Sequence, residues 1–105
     1  MNLASVDLNL LVHFDVLMRE KNVTRAAESL NITQPAMSNI LRRLRKTFND
    51  PLLIRSSEGM TPTERARELE PLVRGALANI DSLLEPMSEF KPLTSKRVFR
   101  IMTSD

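Results

Sequence analysis

The sequence has no cysteine, no tryptophan and no tyrosine, and only one histidine and two glycines. Each shortage removes a class of function. Without cysteine there are no disulfides and no thiolate metal sites, which fits a reducing cytoplasm. His13 lies within an apolar helix pattern and reads as a surface or boundary residue. A single histidine cannot make an H-E-x-x-H zinc site, and no G-x-S-x-G nucleophile turn occurs. Two glycines do not build a glycine-rich phosphate loop. The missing tryptophan and tyrosine argue against the stacking platforms that hold single-stranded nucleic acid. No run of 18 apolar residues is present, so no membrane span is expected. The start, Met1 to Asp7, has neither the basic run nor the apolar run of a secretory leader. No catalytic residue, no metal ligand and no cofactor site is expected within this chain.

Charge of either sign is also in short excess, at a net +2 over 105 residues. Its placement says more than its sum. Between positions 19 and 46 stand Arg19, Lys21, Arg25, Arg42, Arg43, Arg45 and Lys46, against Glu20 and Glu28 only. Between 63 and 90 the balance reverses, with Arg65, Arg67 and Arg74 against six carboxylates. Positive charge gathered in one stretch is what a nucleic-acid footprint requires.

The apolar residues are spaced for helices. Asp7 can cap a first helix over about Leu8 to Glu20, with Leu8, Leu11, Phe14, Leu17 and Met18 on its inner face. Asn22 can cap a short second helix, Val23 to Leu30, in which Ala26, Ala27 and Leu30 face inward. The paired alanines permit close approach of a neighbouring helix. After the turn Asn31-Ile32-Thr33, Thr33 caps a third helix with Pro35 in its first turn, where a missing N–H costs little. Ile32 and Met37 have the spacing of a hydrophobic staple. Met37, Ile40, Leu41, Leu44 and Phe48 form the buried stripe of this helix.

Asn49-Asp50-Pro51 ends the third helix. Leu52 to Arg55, a turn over Ser56 to Gly59, and Met60 to Pro62 read as a small β-hairpin. A long fourth helix begins at Thr63. Its residues Ala66, Leu69, Val73, Ala76, Ile80, Leu83 and Met87 fall at alternating steps of three and four, the pattern of a coiled-coil seam. Pro71 inside it predicts a kink. The seam could pack on its own domain, but three heptads exceed what a domain of about 60 residues covers, so a second copy is the expected partner. Phe90 to Ser95 reads as a linker, and Arg97 to Met102 alternates as a half-buried strand does.

The second and third helices together make a helix-turn-helix, and the hairpin a wing. In such a unit the N-terminal residues of the second helix reach base edges in the major groove. Here those are Thr33, Gln34, Pro35, Ser38 and Asn39. Glutamine and asparagine pair bidentately with adenine, serine with several bases, and a proline surface suits a thymine methyl. Arg42, Arg43, Arg45 and Lys46 follow one to two turns later and suit phosphate contact, as do Thr24 and Arg25 at the start of the second helix. On its own, such a basic run is more readily a solvated helix face than a binding surface. Arg55, Ser56 and Ser57 are the wing candidates, with an ion pair to Glu58 or Asp50 as the alternative for Arg55. Glu28 is expected to pair with Arg25.

The run N-V-T-R-A-A-E-S-L-N-I-T-Q-P-A-M-S-N-I-L-R-R-L-R, followed by D-P-L-L-I-R and M-T-P-T-E-R-A-R-E-L, resembles the amino-terminal domain of LysR-type transcriptional regulators. It looks most like the subgroup concerned with aromatic-compound degradation and nodulation. The resemblance covers about residues 7–90. It implies a mainly α fold: a winged helix-turn-helix over 1–62, a dimerising linker helix over 63–90, and over 91–105 a hinge with the first strand of an effector-binding domain that lies beyond this chain. It implies double-stranded DNA of approximate dyad symmetry as partner, a homodimer that becomes a tetramer at full length, and RNA polymerase as a further candidate. A small-molecule effector would belong to the missing domain. By motif position the resemblance makes Gln34, Pro35, Ser38 and Asn39 base readers and Arg55 a wing arginine. Asn39 stands where many members carry arginine, which favours adenine over guanine there, and Glu58 replaces a common basic residue at the wing tip. A helical adaptor whose basic face binds an acidic protein is the rival reading.

Overall fold

The computed structural model describes residues 3–85. The strand anticipated over Arg97 to Met102, the linker before it, and Met87 of the anticipated seam lie outside the described residues. After one 3-10 turn, Leu3–Ser5, the order is α1 Asn9–Glu20, α2 Val23–Ser29, α3 Gln34–Phe48, β1 Leu53–Ser56, β2 Gly59–Pro62 and α4 Glu64–Leu84. This is the mainly helical, winged arrangement expected from the sequence.

Each helix starts where a side chain can take up an orphan amide. The Asp7 carboxylate accepts from the Asn9 N–H at 3.0 Å. Asn22 accepts from the Arg25 N–H at 2.8 Å, Thr33 from Ala36 at 3.2 Å and Thr63 from Ala66 at 3.1 Å. A polar cap of this kind is worth about 1 kcal/mol. α1 and α3 both stop on a left-handed residue, Lys21 at φ 50° and Asn49 at φ 52°.

The core lies where α1, α2, α3 and the first half of α4 meet. Phe14, Leu17 and Met18 of α1 pack with Ala26 and Ala27 of α2, Met37, Leu41 and Leu44 of α3, and Ala66, Leu69 and Val73 of α4. Phe14 and Phe48 stack at a tilt, 5.9 Å between ring centres. Leu10 rather than Leu8 joins this core; Leu8 is 50% exposed. It sits at the mouth of α1, about a third of a turn round from Phe14 at 100° per residue, so the periodic pattern alone placed it on the wrong flank. Leu30 is the residue that ends α2 and is only half-buried.

The hairpin pairs Leu53 with Pro62, Ile54 with Thr61, Arg55 with Met60 and Ser56 with Gly59, antiparallel. The turn is therefore the pair Ser57-Glu58, shorter than the four residues expected. Its left-handed step falls on Gly59 at φ 108°, a conformation that a side chain would strain. Leu53 is buried and anchors the hairpin against the core.

α4 runs unbroken from Glu64 to Leu84 with Pro71 inside it, which withdraws the i→i−4 donor to the Arg67 carbonyl. More important, Ala66, Leu69 and Val73 are buried within this one chain, against α1 and the hairpin. They are core residues of the monomer and are not available to a seam between copies. The first two and a half turns of α4 thus pack on the same core as α1, α2 and α3. Among the described residues no helix is long and apolar enough to cross a membrane.

Candidate nucleic-acid interface

α3 presents two faces with different chemistry. Met37, Leu41 and Leu44 point into the core. At about 100° per residue, Pro35, Asn39, Arg42 and Lys46 fall on the opposite ridge, and all four are exposed. Arg43 is exposed beside them. Thr33 and Gln34 are exposed at the tip, and Ser38 is half-buried on the flank. The structure thus brings the five candidate base readers and three candidate phosphate cations onto one protruding helix.

Hydrogen bonds already order this surface. The Gln34 side-chain amide donates to the Ser38 hydroxyl at 2.8 Å. The Arg42 guanidinium reaches back one turn and donates to the Asn39 side-chain carbonyl. Thr33 uses one of its two hydroxyl lone pairs on the Ala36 N–H, which leaves its hydroxyl proton and the second lone pair for a ligand. Pairing of this kind keeps long side chains in few rotamers before any partner arrives, which lowers the ordering cost of binding.

The cations differ in how free they are. Arg43 sits 3.5 Å from the Asp7 carboxylate, and Arg25 is 3.9 Å from Glu20 rather than paired with Glu28 as expected. Both ion pairs are largely exposed and worth little, so a phosphate can replace the carboxylate. Thr24 is exposed next to Arg25 at the start of α2. Lys46 points into solvent from the ridge.

Arg45 is a correction. The sequence places it among the phosphate candidates, yet it sits on the Ser38 flank of α3, about 100° from the ridge. Its Nε donates to the Pro51 carbonyl and its Nη2 to the Leu53 carbonyl, each at 2.7 Å. The guanidinium is used inside the protein.

On the wing, Arg55, Ser56 and Ser57 are all exposed. Arg55 shares a hairpin face with buried Leu53 and half-buried Met60. Among the described residues no carboxylate lies within ion-pair distance of it, so the alternative pairing with Glu58 or Asp50 does not form. The Ser56 hydroxyl is tied to Thr61 at 2.7 Å and receives the Glu58 N–H at 3.3 Å. It shapes the turn and has little left for a ligand.

Sequence reasoning missed one residue that positions the site. Asp50 accepts from the Leu52 N–H at 2.8 Å and from the Thr63 hydroxyl at 2.7 Å, joining the end of α3, the entry to the wing and the cap of α4. The Thr63 hydroxyl, and then the Leu52 amide, hold its carboxyl below the usual aspartate value. Read as part of the helix stop Asn49-Asp50-Pro51, it gave no sign of this reach.

On the distal half of α4 the anticipated seam divides. Ala76 and Ile80 are half-buried, and Leu83 is 82% exposed. Leu72 and Leu84, which the three-and-four spacing passed over, are 69% and 78% exposed. Leu72, Ala76 and Leu83 fall on one line along the helix, with Ile80 and Leu84 beside it.

Comparison with known proteins places this architecture. The model of a bacterial regulatory helix-turn-helix protein of the lysR family matches residues 8–67. The chain belongs to that family. The transcriptional activator NahR of Pseudomonas putida is 43% identical over 105 residues, which is 100% of this chain and 35% of that protein. Nodulation protein D 1 of Rhizobium leguminosarum bv. phaseoli is 46% identical over 105 residues, 100% of this chain and 33% of that protein. The crystal structure of Vibrio fischeri DarR in complex with DNA superposes with a TM-score of 0.72 at 30% identity, covering 90% of this chain and 32% of that one. The chain spans about a third of the length of the curated relatives it matches.

Proposed function

We propose that this chain is the sequence-reading part of a LysR-type transcriptional regulator. α3 enters the major groove of double-stranded DNA tip first. Gln34, Pro35, Ser38 and Asn39 meet base edges, with Thr33 at the rim. Arg42, Arg43 and Lys46 meet phosphates, joined by Thr24 and Arg25 from α2. Arg55 and Ser57 on the wing lie along the neighbouring minor groove, while Ser56 keeps the turn in shape.

The observation that carries this reading is the composition of one ridge. Pro35 and Asn39 near the Thr33-capped tip of α3 stand in line with the cations Arg42 and Lys46 behind them, all four exposed on the ridge opposite the core, with exposed Gln34 and half-buried Ser38 on the flank of the same tip. An adaptor for an acidic protein has no use for that order. The DNA complex of the structurally similar DarR supports it as well.

Two copies pair through the distal half of α4, by Leu72, Ala76, Ile80, Leu83 and Leu84. Operator half-sites then lie about one helical turn or a multiple apart, with approximate dyad symmetry. In the whole protein a small-molecule effector acts on a further domain. Tetramer formation and contact with RNA polymerase belong to that whole protein, in the cytoplasm. Nothing in the site calls for catalysis, and the chain acts by binding alone.

Selection of bound duplexes from a random-sequence pool tests the reading. Wild type enriches a defined motif. Gln34→Ala blurs it at one or two positions, by about 1–3 kcal/mol of lost discrimination. Arg42→Ala weakens all duplexes alike and lowers the salt slope by about 1. A wild type that enriches nothing refutes the specific-regulator reading.

A further inference from the structure

The connection from α3 to the wing is short, strained and held by side chains. Leu53 N–H bonds to the Pro51 carbonyl at 2.6 Å across Leu52, whose φ is +64°. That is a γ-turn of the positive-φ kind, which is rare and costly for a residue with a side chain. Leu52 is fully buried, so the strain cannot relax by swinging it outward. The same segment carries Asn49, also left-handed. Such a segment keeps one shape only if its surroundings fix it.

We propose that Arg45 is the positioning residue that fixes the wing relative to the recognition helix, so that its contribution to DNA binding runs through Arg55 rather than through a phosphate of its own. Its Nε and Nη2 grip the Pro51 and Leu53 carbonyls, one on each side of the strained Leu52. Among the described residues this is the side-chain hydrogen bond that joins α3 to β1. Leu53 precedes Arg55 by two residues on the same hairpin face, so a shift at Leu53 carries Arg55 with it. The two carbonyls suit the rigid planar fork of arginine. Lysine brings the same charge as a single point and cannot match that fork.

The inference rests on the DNA-binding reading above, and its test separates the two. Equilibrium binding is measured for wild type, Arg45→Lys, Arg45→Gln, Arg55→Ala and the pair Arg45→Lys with Arg55→Ala, on one duplex selected by wild type. If wild type binds no duplex, the DNA-binding reading falls and takes this one with it. Given binding, Arg55→Ala alone weakens it about tenfold, the scale of one good charged contact. Arg45→Lys weakens binding as much as Arg45→Gln, although it keeps the charge. The double variant is no more than about twofold weaker than Arg45→Lys alone, because a displaced wing has no contact left to lose. A direct phosphate role predicts the opposite on both counts: lysine rescues, and the two losses multiply. Either result overturns the proposal, as does an Arg55→Ala that binds like wild type. A role confined to overall stability would leave the binding of folded protein untouched and the two sites uncoupled, and that too overturns it. If the Arg45 variants do not fold, Asp50→Ala, which frees the same connection at the Leu52 N–H, takes their place in the cycle with the same expected non-additivity.

Discussion

Leu69 and Leu83 belong to the same three-and-four pattern, but one is buried in the monomer and the other is 82% exposed. Truncating each to alanine should therefore damage different things. Leu83→Ala removes three carbons from a side chain that is left uncovered among the described residues. If a second copy covers it, each copy loses about 2 kcal/mol at about 0.8 kcal/mol per buried carbon. Two copies lose about 4 kcal/mol, which is about a 1,000-fold rise in the dimer Kd. Alanine is the best helix former, so α4 itself is not weakened. Leu69→Ala instead opens a hole in the core and costs about 2–5 kcal/mol of monomer stability. Sedimentation equilibrium over a wide concentration range reads the first quantity. Denaturant unfolding, at a concentration where wild type is monomeric, reads the second. Leu83→Ala should change only the dimer constant. An unchanged dimer constant would refute the distal half of α4 as the pairing face.

Three smaller tests bear on how the site is held. Asp50 has a lowered folded-state pKa because the Thr63 hydroxyl and Leu52 amide donate to its carboxylate. Its contribution is fully present above the ordinary aspartate value and is lost as pH falls through the lowered folded value. Asp50→Asn should flatten the fall of Tm with acid in that window; an acid limb identical to wild type would show that these bonds do not matter to folding. Thr33→Ala should cost about 1 kcal/mol in denaturant unfolding by removing the Ala36 cap, with helix fraying at the reading tip visible as faster amide exchange there. Asn39→Ala should loosen the Arg42 side chain, blurring base preference where Asn39 reads and weakening every duplex a little through Arg42; a selection motif identical to wild type would exclude Asn39 from base contact.

Much of the fold was legible because its signals are local. Asn22, Thr33 and Thr63 are capping residues at their own helix starts, and each does in space what its type does in any chain. The Thr33 cap with Pro35 behind it defines the recognition helix from five residues alone. The ridge follows from that start and a period of 3.6, so its exposed members were found together. What was not legible depends on distance through space. A stripe on α4 looks the same whether its own domain or a second copy covers it. Only the position of α1 decides that Ala66, Leu69 and Val73 are taken and Leu72, Leu83 and Leu84 are not.

Arg45 shows the same limit in the chemistry of the site. In sequence it is one of four cations in five residues, and nothing about its type marks it apart from Arg42. Its fate is set by a turn seven residues on, where Leu52 takes a left-handed backbone and leaves two carbonyls facing α3. A cation at a DNA-binding surface can act by charge or by geometry, and the sequence reports only the charge. The difference has a consequence for reading related chains. If Arg42 meets a phosphate as proposed, a lysine in its place keeps that contact and most of the affinity, whereas a lysine in place of Arg45 keeps the charge without the planar fork that holds the Pro51 and Leu53 carbonyls. Counting basic residues would score the two changes alike. The two backbone carbonyls that Arg45 holds are what separate them.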